Sequence, residues 1–270
     1  MMVVFKTWRD TWRIIRKQPV VFLPFIISGA VSLLVLYILF LAPQRPIAYL
    51  LAPPIRAIAG EKFLHYPFNF VLLPNLFRLG DLAVSAFLGM LMSAVSVGMV
   101  ADVYSRRTPS FLISLIVGFK RYFALVLLWI ISFGIIAVVM KFLPHLFNLQ
   151  ARLGKSAFVA VSLCVSIVVQ SLFVYMLPIL IIDRKKLWGA FLENIRMLLS
   201  RLVPTVILVA LPSLLYVPML ILKSYASLFA RTGFPESVLI ILAVGVIAAL
   251  VIDYWITISI TVYFLKNKTE

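Results

Sequence analysis

Apolar residues fill six long runs of this chain, and its charged residues gather in the segments between them. As a helix, a run of about 20 apolar residues is long enough to cross the hydrocarbon core of a bilayer. The pattern predicts spans over about Pro19–Ala42, Asp81–Tyr104, Tyr122–Met140, Ser156–Ile182, Leu202–Leu222 and Ser237–Leu265. In the second, small residues recur at every fourth position: Ser85, Gly89 and Ser93, then Ala94, Gly98 and Asp102. Such stripes let helices approach closely in lipid, so this span is expected inside the bundle. The fifth holds Pro204, Pro212 and Pro218 and is expected to be bent or locally unwound.

Helical periodicity also marks three shorter segments, each just ahead of an odd-numbered span. In the first, Val4, Trp8, Trp12 and Ile15 share one face, opposite Lys6, Arg9, Arg13, Arg16 and Lys17. The second is strongly apolar, with Phe111, Leu112, Leu115, Ile116 and Phe119, and closes on Lys120 and Arg121. In the third, Trp188, Phe191, Ile195 and Leu198 define an apolar side, with Asn194, Arg196, Ser200 and Arg201 away from it. The three align at Lys17, Arg121 and Arg201. The fold class read from this pattern is an all-α polytopic membrane protein. Its six transmembrane helices form three pseudo-repeated hairpins, each preceded by a cytoplasmic amphipathic helix. Residues 1–270 form one integral membrane domain, with pseudo-repeats of about 1–104, 105–183 and 184–270. Trp8, Trp12 and Trp188 are the expected membrane-interface anchors. The longest connection, Pro43–Gly80, holds too many prolines for one continuous helix. It is apolar enough to lie in the interface or pack back onto the spans as a cap.

Composition sharpens the class. The chain is 64% hydrophobic with a mean hydropathy of +1.12, beyond what a soluble domain tolerates. A net charge of +16 would elsewhere suggest nucleic acid. Here the cations sit in short segments beside apolar runs, where they set orientation and meet anionic headgroups. Sixteen of the 25 basic residues fall in the N-terminal segment, the 2–3 and 4–5 connections and the C-terminus, and nine on the other side. Both termini are therefore expected in the cytoplasm, in a multi-pass protein of the cell (inner) membrane. The basic, then apolar N-terminus is read as an uncleaved first span, because its apolar stretch exceeds a signal core. The partners implied are the lipid bilayer, anionic lipid headgroups at the cytoplasmic face, and other membrane proteins, with no nucleic acid. One cysteine, Cys164, excludes an internal disulfide framework. Two distant histidines, His65 and His145, make metal chemistry and cofactors unexpected.

Asp253 is the anomaly. It lies near the middle of the last run, in a four-residue stripe with Gly245, Ala249, Thr257 and Thr261. An acid at that depth costs about 2.5–3.5 kcal/mol on insertion scales, so it is expected to face protein or water. Gln170, Ser93 and Ser166 on neighbouring spans complete a candidate intramembrane polar site. Such a site either couples a proton or cation or locks helix packing. Asp102 and Asp183 each end an even-numbered span, and are expected to pair with Arg106 or Arg184 or to cap the next helix. No nucleophile with a positioned base is evident, so no enzyme activity is expected. The leading expectation is a non-enzymatic scaffold, assembly or accessory membrane component. The alternative is a small-solute or ion transporter or channel using Asp253, and a lipid-active enzyme comes third.

The segment TWRDTWRIIRKQP entering an apolar run, echoed by FLISLIVGFKRYF and LWGAFLENIRMLLSRLVP, resembles six-span prokaryotic membrane proteins of unknown function. It is also similar to the membrane domain ahead of some glycerophosphodiester phosphodiesterases. In those enzymes catalysis belongs to a separate soluble barrel, so the resemblance implies no site residue here.

Overall fold

A computed structural model describes residues 2–147, 152–225 and 234–269. The expected connections at 141–155 and 223–236 lie partly outside the described residues, at 148–151 and 226–233. Among the described residues every regular element is helical. Six helical segments are long and apolar enough to cross a membrane, as in a multi-pass membrane protein: Pro19–Leu41, Phe68–Tyr104, Tyr122–Leu146, Ala157–Ile182, Leu202–Leu222 and Ser237–Lys268.

The second segment corrects the sequence reading. It begins at Phe68, not near Asp81, so the long connection is mostly helical. That connection forms α3 (Ile47–Ala59), a 3-10 turn at Glu61–Leu64, and α4 (Phe68–Val84). Pro53 and Pro54 are held inside α3 and Pro74 inside α4. A π-helical turn, Ser85–Gly89, leads on to α5 (Met90–Tyr104). Arg78 thereby falls within a spanning helix, where none of the expected spans held a cation.

Two proline positions break spans, for one reason. Proline lacks the N–H that would bond the carbonyl four residues back, and its ring crowds that carbonyl. Pro178 acts on Val174, and the fourth span splits into α8 (Arg152–Phe173) and α9 (Met176–Ile182). Pro218 acts on Leu214, and the fifth splits into α11 (Leu202–Ser213) and α12 (Tyr216–Ser224). The remaining helices are α1 (Met2–Lys17), α2 (Leu23–Leu41), α6 (Phe111–Lys120), α7 (Tyr122–Phe142), α10 (Leu187–Ser200) and α13 (Ser237–Thr269).

The chain folds as two compact units. The first comprises Met1–Pro24, Met90–Ser213 and Tyr254–Glu270. In it α6 packs on α5 and α10 packs on α8 and α9. The α5–α6 seam is close: a Cβ on Gly98 would stand 3.0 Å from Ser114 Oγ. Helix α1 is tied to α13 by an Asp10–Lys266 ion pair at 2.5 Å and by Trp12 against Trp255. Each of α1, α6 and α10 ends at a single non-helical residue: Gln18 (φ −136°), Arg121 (φ −110°) and Arg201 (φ −139°). Seven residues before each lies a buried polar side chain: Thr11, Ser114 and Asn194.

The faces of these helices differ from the sequence reading. Asn194, expected away from the apolar side, is fully buried, whereas Trp188 is 71% exposed. Helix α1 buries Val4, Thr7 and Thr11, and α6 buries Ser114 and Gly118, while Phe5, Trp12 and Ile116 are exposed. Small and polar residues contribute most of the buried positions of these helices: Thr7, Thr11, Ser114, Gly118, Ala190 and Asn194. Among the residues whose burial is described, span four is buried only from Val169 onward.

The second unit comprises Phe25–Gly89 and Leu214–Asp253. Its core joins Leu36, Ile55, Phe63, Phe70, Leu73, Phe77, Val238 and Leu242. The apolar connection thus packs onto the first and last spans, burying surface at about 25 cal/mol per Å². Two glycines set the helix spacing. A Cβ on Gly29 would meet Leu250 Cδ1 at 2.0 Å, and one on Gly80 would meet Val35 Cγ1 at 2.8 Å.

Candidate functional site

The second unit gathers polar groups from four spans. Tyr216 begins α12 directly after the break imposed by Pro218, and its hydroxyl donates to Asp253 Oδ1 at 2.8 Å. Ser32, buried in the middle of α2, donates to Asp81 Oδ1 at 2.8 Å. Asp81 stands one residue after the close approach at Gly80, and the π-helical turn starts four residues later. Asp81, Asp253 and Tyr216 all lie in this unit. The result is a pair of acids, each held by one hydroxyl donor. Among the described residues no three His, Cys, Asp or Glu side chains converge.

Asp253, expected to face protein or water, is exposed. Along its stripe Gly245 is buried, Ala249 half-buried, Thr257 half-buried and Thr261 buried. The acid is therefore the exposed member of that stripe, with Tyr216 as its donor. Ser93, Ser166 and Gln170, all half-buried, belong to the first unit and Asp253 to the second. The partner expected from Gln170 or Ser93 is thus supplied by Tyr216. The Ser166 hydroxyl donates to the Ser162 carbonyl of its own helix, 2.9 Å away. Of the expected interface anchors, Trp12 is 56% exposed, Trp188 is exposed as above, and Trp8 is half-buried. Asp183 is bound by Lys268 from the far end of the chain, not by Arg184. The carbonyl of Asp102 accepts from the Arg107 N–H at 2.8 Å.

Asp81, Tyr216 and Ser32 escaped the sequence reading. Asp81 looked like the first residue of a span, where an acid is unremarkable. The clue was the apolar run Phe68–Phe77 ahead of it, which continues the same helix. Tyr216 carried a clue too, two residues before a span-breaking proline.

A second polar cluster, in the first unit, repairs the other proline break. The Asn194 side-chain carbonyl accepts from the Tyr175 N–H at 3.1 Å, and its amide donates to the Leu172 carbonyl at 2.6 Å. The Tyr175 hydroxyl lies 2.5 Å from Thr205 Oγ1, and Thr205 also donates to the Arg201 carbonyl at 2.8 Å. Tyr175, Asn194 and Thr205 are fully buried. These groups satisfy backbone that lipid could not.

Comparison with family models, with curated proteins and with solved structures finds no match to this chain.

Proposed function

We propose that this chain is a non-enzymatic membrane transporter or channel in which Asp253 and Asp81 take up a proton or a small monovalent cation. The observation that carries the reading is the Ser32–Asp81 and Tyr216–Asp253 arrangement within apolar spans. Two acids in one compact unit repel when both are charged, and a proton or cation taken up by either relieves that repulsion. Intramembrane acids are costly, and function is the usual reason they are kept. The broken fifth span and the π-helical turn support it, since both loosen backbone beside the acids. In this reading the six spans lie in the cell membrane with both termini in the cytoplasm, on the charge asymmetry. The three single-residue junctions and their buried Thr11, Ser114 and Asn194 support a threefold repeat of short helix and hairpin.

The accessory or assembly role is the second reading. The Asn194–Tyr175–Thr205 cluster favours it, because those polar groups lock helices together.

Proteoliposomes holding a pH-sensitive dye separate the two. The transporter reading expects flux driven by a proton, sodium or potassium gradient. That flux is lost in Asp253→Asn and Asp81→Asn and weakened in Tyr216→Phe, with all three variants eluting as the parent does. An inert parent protein under every gradient refutes transport of these ions and leaves the accessory role.

A further inference from the structure

Helices α1 and α10 divide their circumference into three sectors. One is buried: Val4, Thr7 and Thr11 in α1, and Ala190, Asn194 and Leu198 in α10. The next is apolar and exposed: Phe5 and Trp12 in α1, Trp188, Leu192 and Leu199 in α10. The last is charged and exposed: Lys6, Arg9, Arg13 and Arg16 in α1, Arg196 in α10. At about 100° per residue, the order buried, apolar, charged runs in the same rotational sense round both helices. A helix on the surface of a water-soluble protein needs only two sectors. A third arises where protein, hydrocarbon and water meet. Both helices are too short to span, at 16 and 14 residues.

Charge identifies the occupant. The one acid of α1, Asp10, is engaged by Lys266 at 2.5 Å and lies 3.7 Å from Arg13. The acid of α10, Glu193, is engaged by Lys185 at 2.5 Å. Cations dominate the charged sector of α1, Arg196 is the cation of α10, and both stand beside exposed aromatic rings, the arrangement that binds an anionic bilayer surface. We infer that the apolar sectors of α1 and α10 are seated in an anionic phospholipid leaflet, with their basic sectors at phosphate level. This seat does not depend on the transport reading.

The test uses the full chain with Cys164→Ser and one spin-labelled cysteine at a time: Phe5→Cys, Arg9→Cys, Leu192→Cys or Arg196→Cys. Each is reconstituted in vesicles of phosphatidylcholine, alone or mixed with phosphatidylglycerol. Oxygen collides with labels in hydrocarbon, and a nickel chelate with labels in water. The inference expects oxygen to exceed nickel severalfold at positions 5 and 192, and the reverse at 9 and 196. Adding phosphatidylglycerol moves positions 5 and 192 deeper, and high salt reverses the movement. Nickel access at 5 and 192 equal to that at 9 and 196 overturns the seat. So does shielding from both reagents, which means a protein covers the face. Depth indifferent to phosphatidylglycerol overturns its anionic selectivity. In the parent protein, lipids brominated near the headgroup quench tryptophan fluorescence, and Trp12→Phe with Trp188→Phe removes most of that quenching. Unchanged quenching in the double variant also overturns it.

Discussion

Asn194→Leu removes the brace across the proline break of the fourth span while keeping nearly the same volume. The parent side chain fills both backbone vacancies there, one donor at Tyr175 and one acceptor at Leu172. With leucine in its place both groups stay buried and unpaired, each costing about 1–3 kcal/mol, so the loss is about 2–6 kcal/mol. For a chain of this size, at about 2–4 °C per kcal/mol, that corresponds to a drop of about 4–24 °C in the detergent-solubilised melting temperature. Tyr175→Phe is the internal control. It deletes only the hydroxyl bonded to Thr205, whose own proton still reaches the Arg201 carbonyl. That change costs about 1 kcal/mol, a drop of about 2–4 °C. The assay is thermal challenge of the solubilised protein followed by size-exclusion chromatography. An Asn194→Leu protein as stable as the parent, or more stable than Tyr175→Phe, refutes the brace.

Other expectations follow from spacing and charge. Gly98→Val forces side-chain atoms against Ser114 and is expected to separate α5 from α6, seen as aggregation on extraction. Gly134→Ala meets nothing within 4 Å and replaces a helical glycine, so it is expected to stabilise by about 1 kcal/mol. The reverse order of stability in the same chromatography refutes the close α5–α6 seam. Reporter fusions after Arg107, after Lys186 and after Lys268 are all expected to read cytoplasmic. An outward signal at any one breaks the proposed topology.

Much of the architecture is written in the chain, because lipid imposes a crude requirement. Length and hydropathy predicted all six segments, since any helix in hydrocarbon must satisfy its own backbone and show apolar side chains outward. The breaks in spans four and five follow from where Pro178 and Pro218 fall, each acting four residues back. The facing of the short helices did not follow. Periodicity located an apolar side on α10, but only Leu198 of that side is buried and Trp188 is exposed, while Asn194 goes in because a freed N–H and carbonyl await it there. Asp253 was visible as an acid at mid-span, and its partner was not. Gln170 and Ser93 are plausible by depth, yet folding supplied Tyr216, which the Pro218 break places at the head of α12. Asp81 was hidden for a related reason: where a helix begins depends on whether the apolar connection before it packs. Phe63, Phe70 and Leu73 found a core against the first and last spans, and only that packing carries the helix back to Phe68 and leaves Asp81 within it.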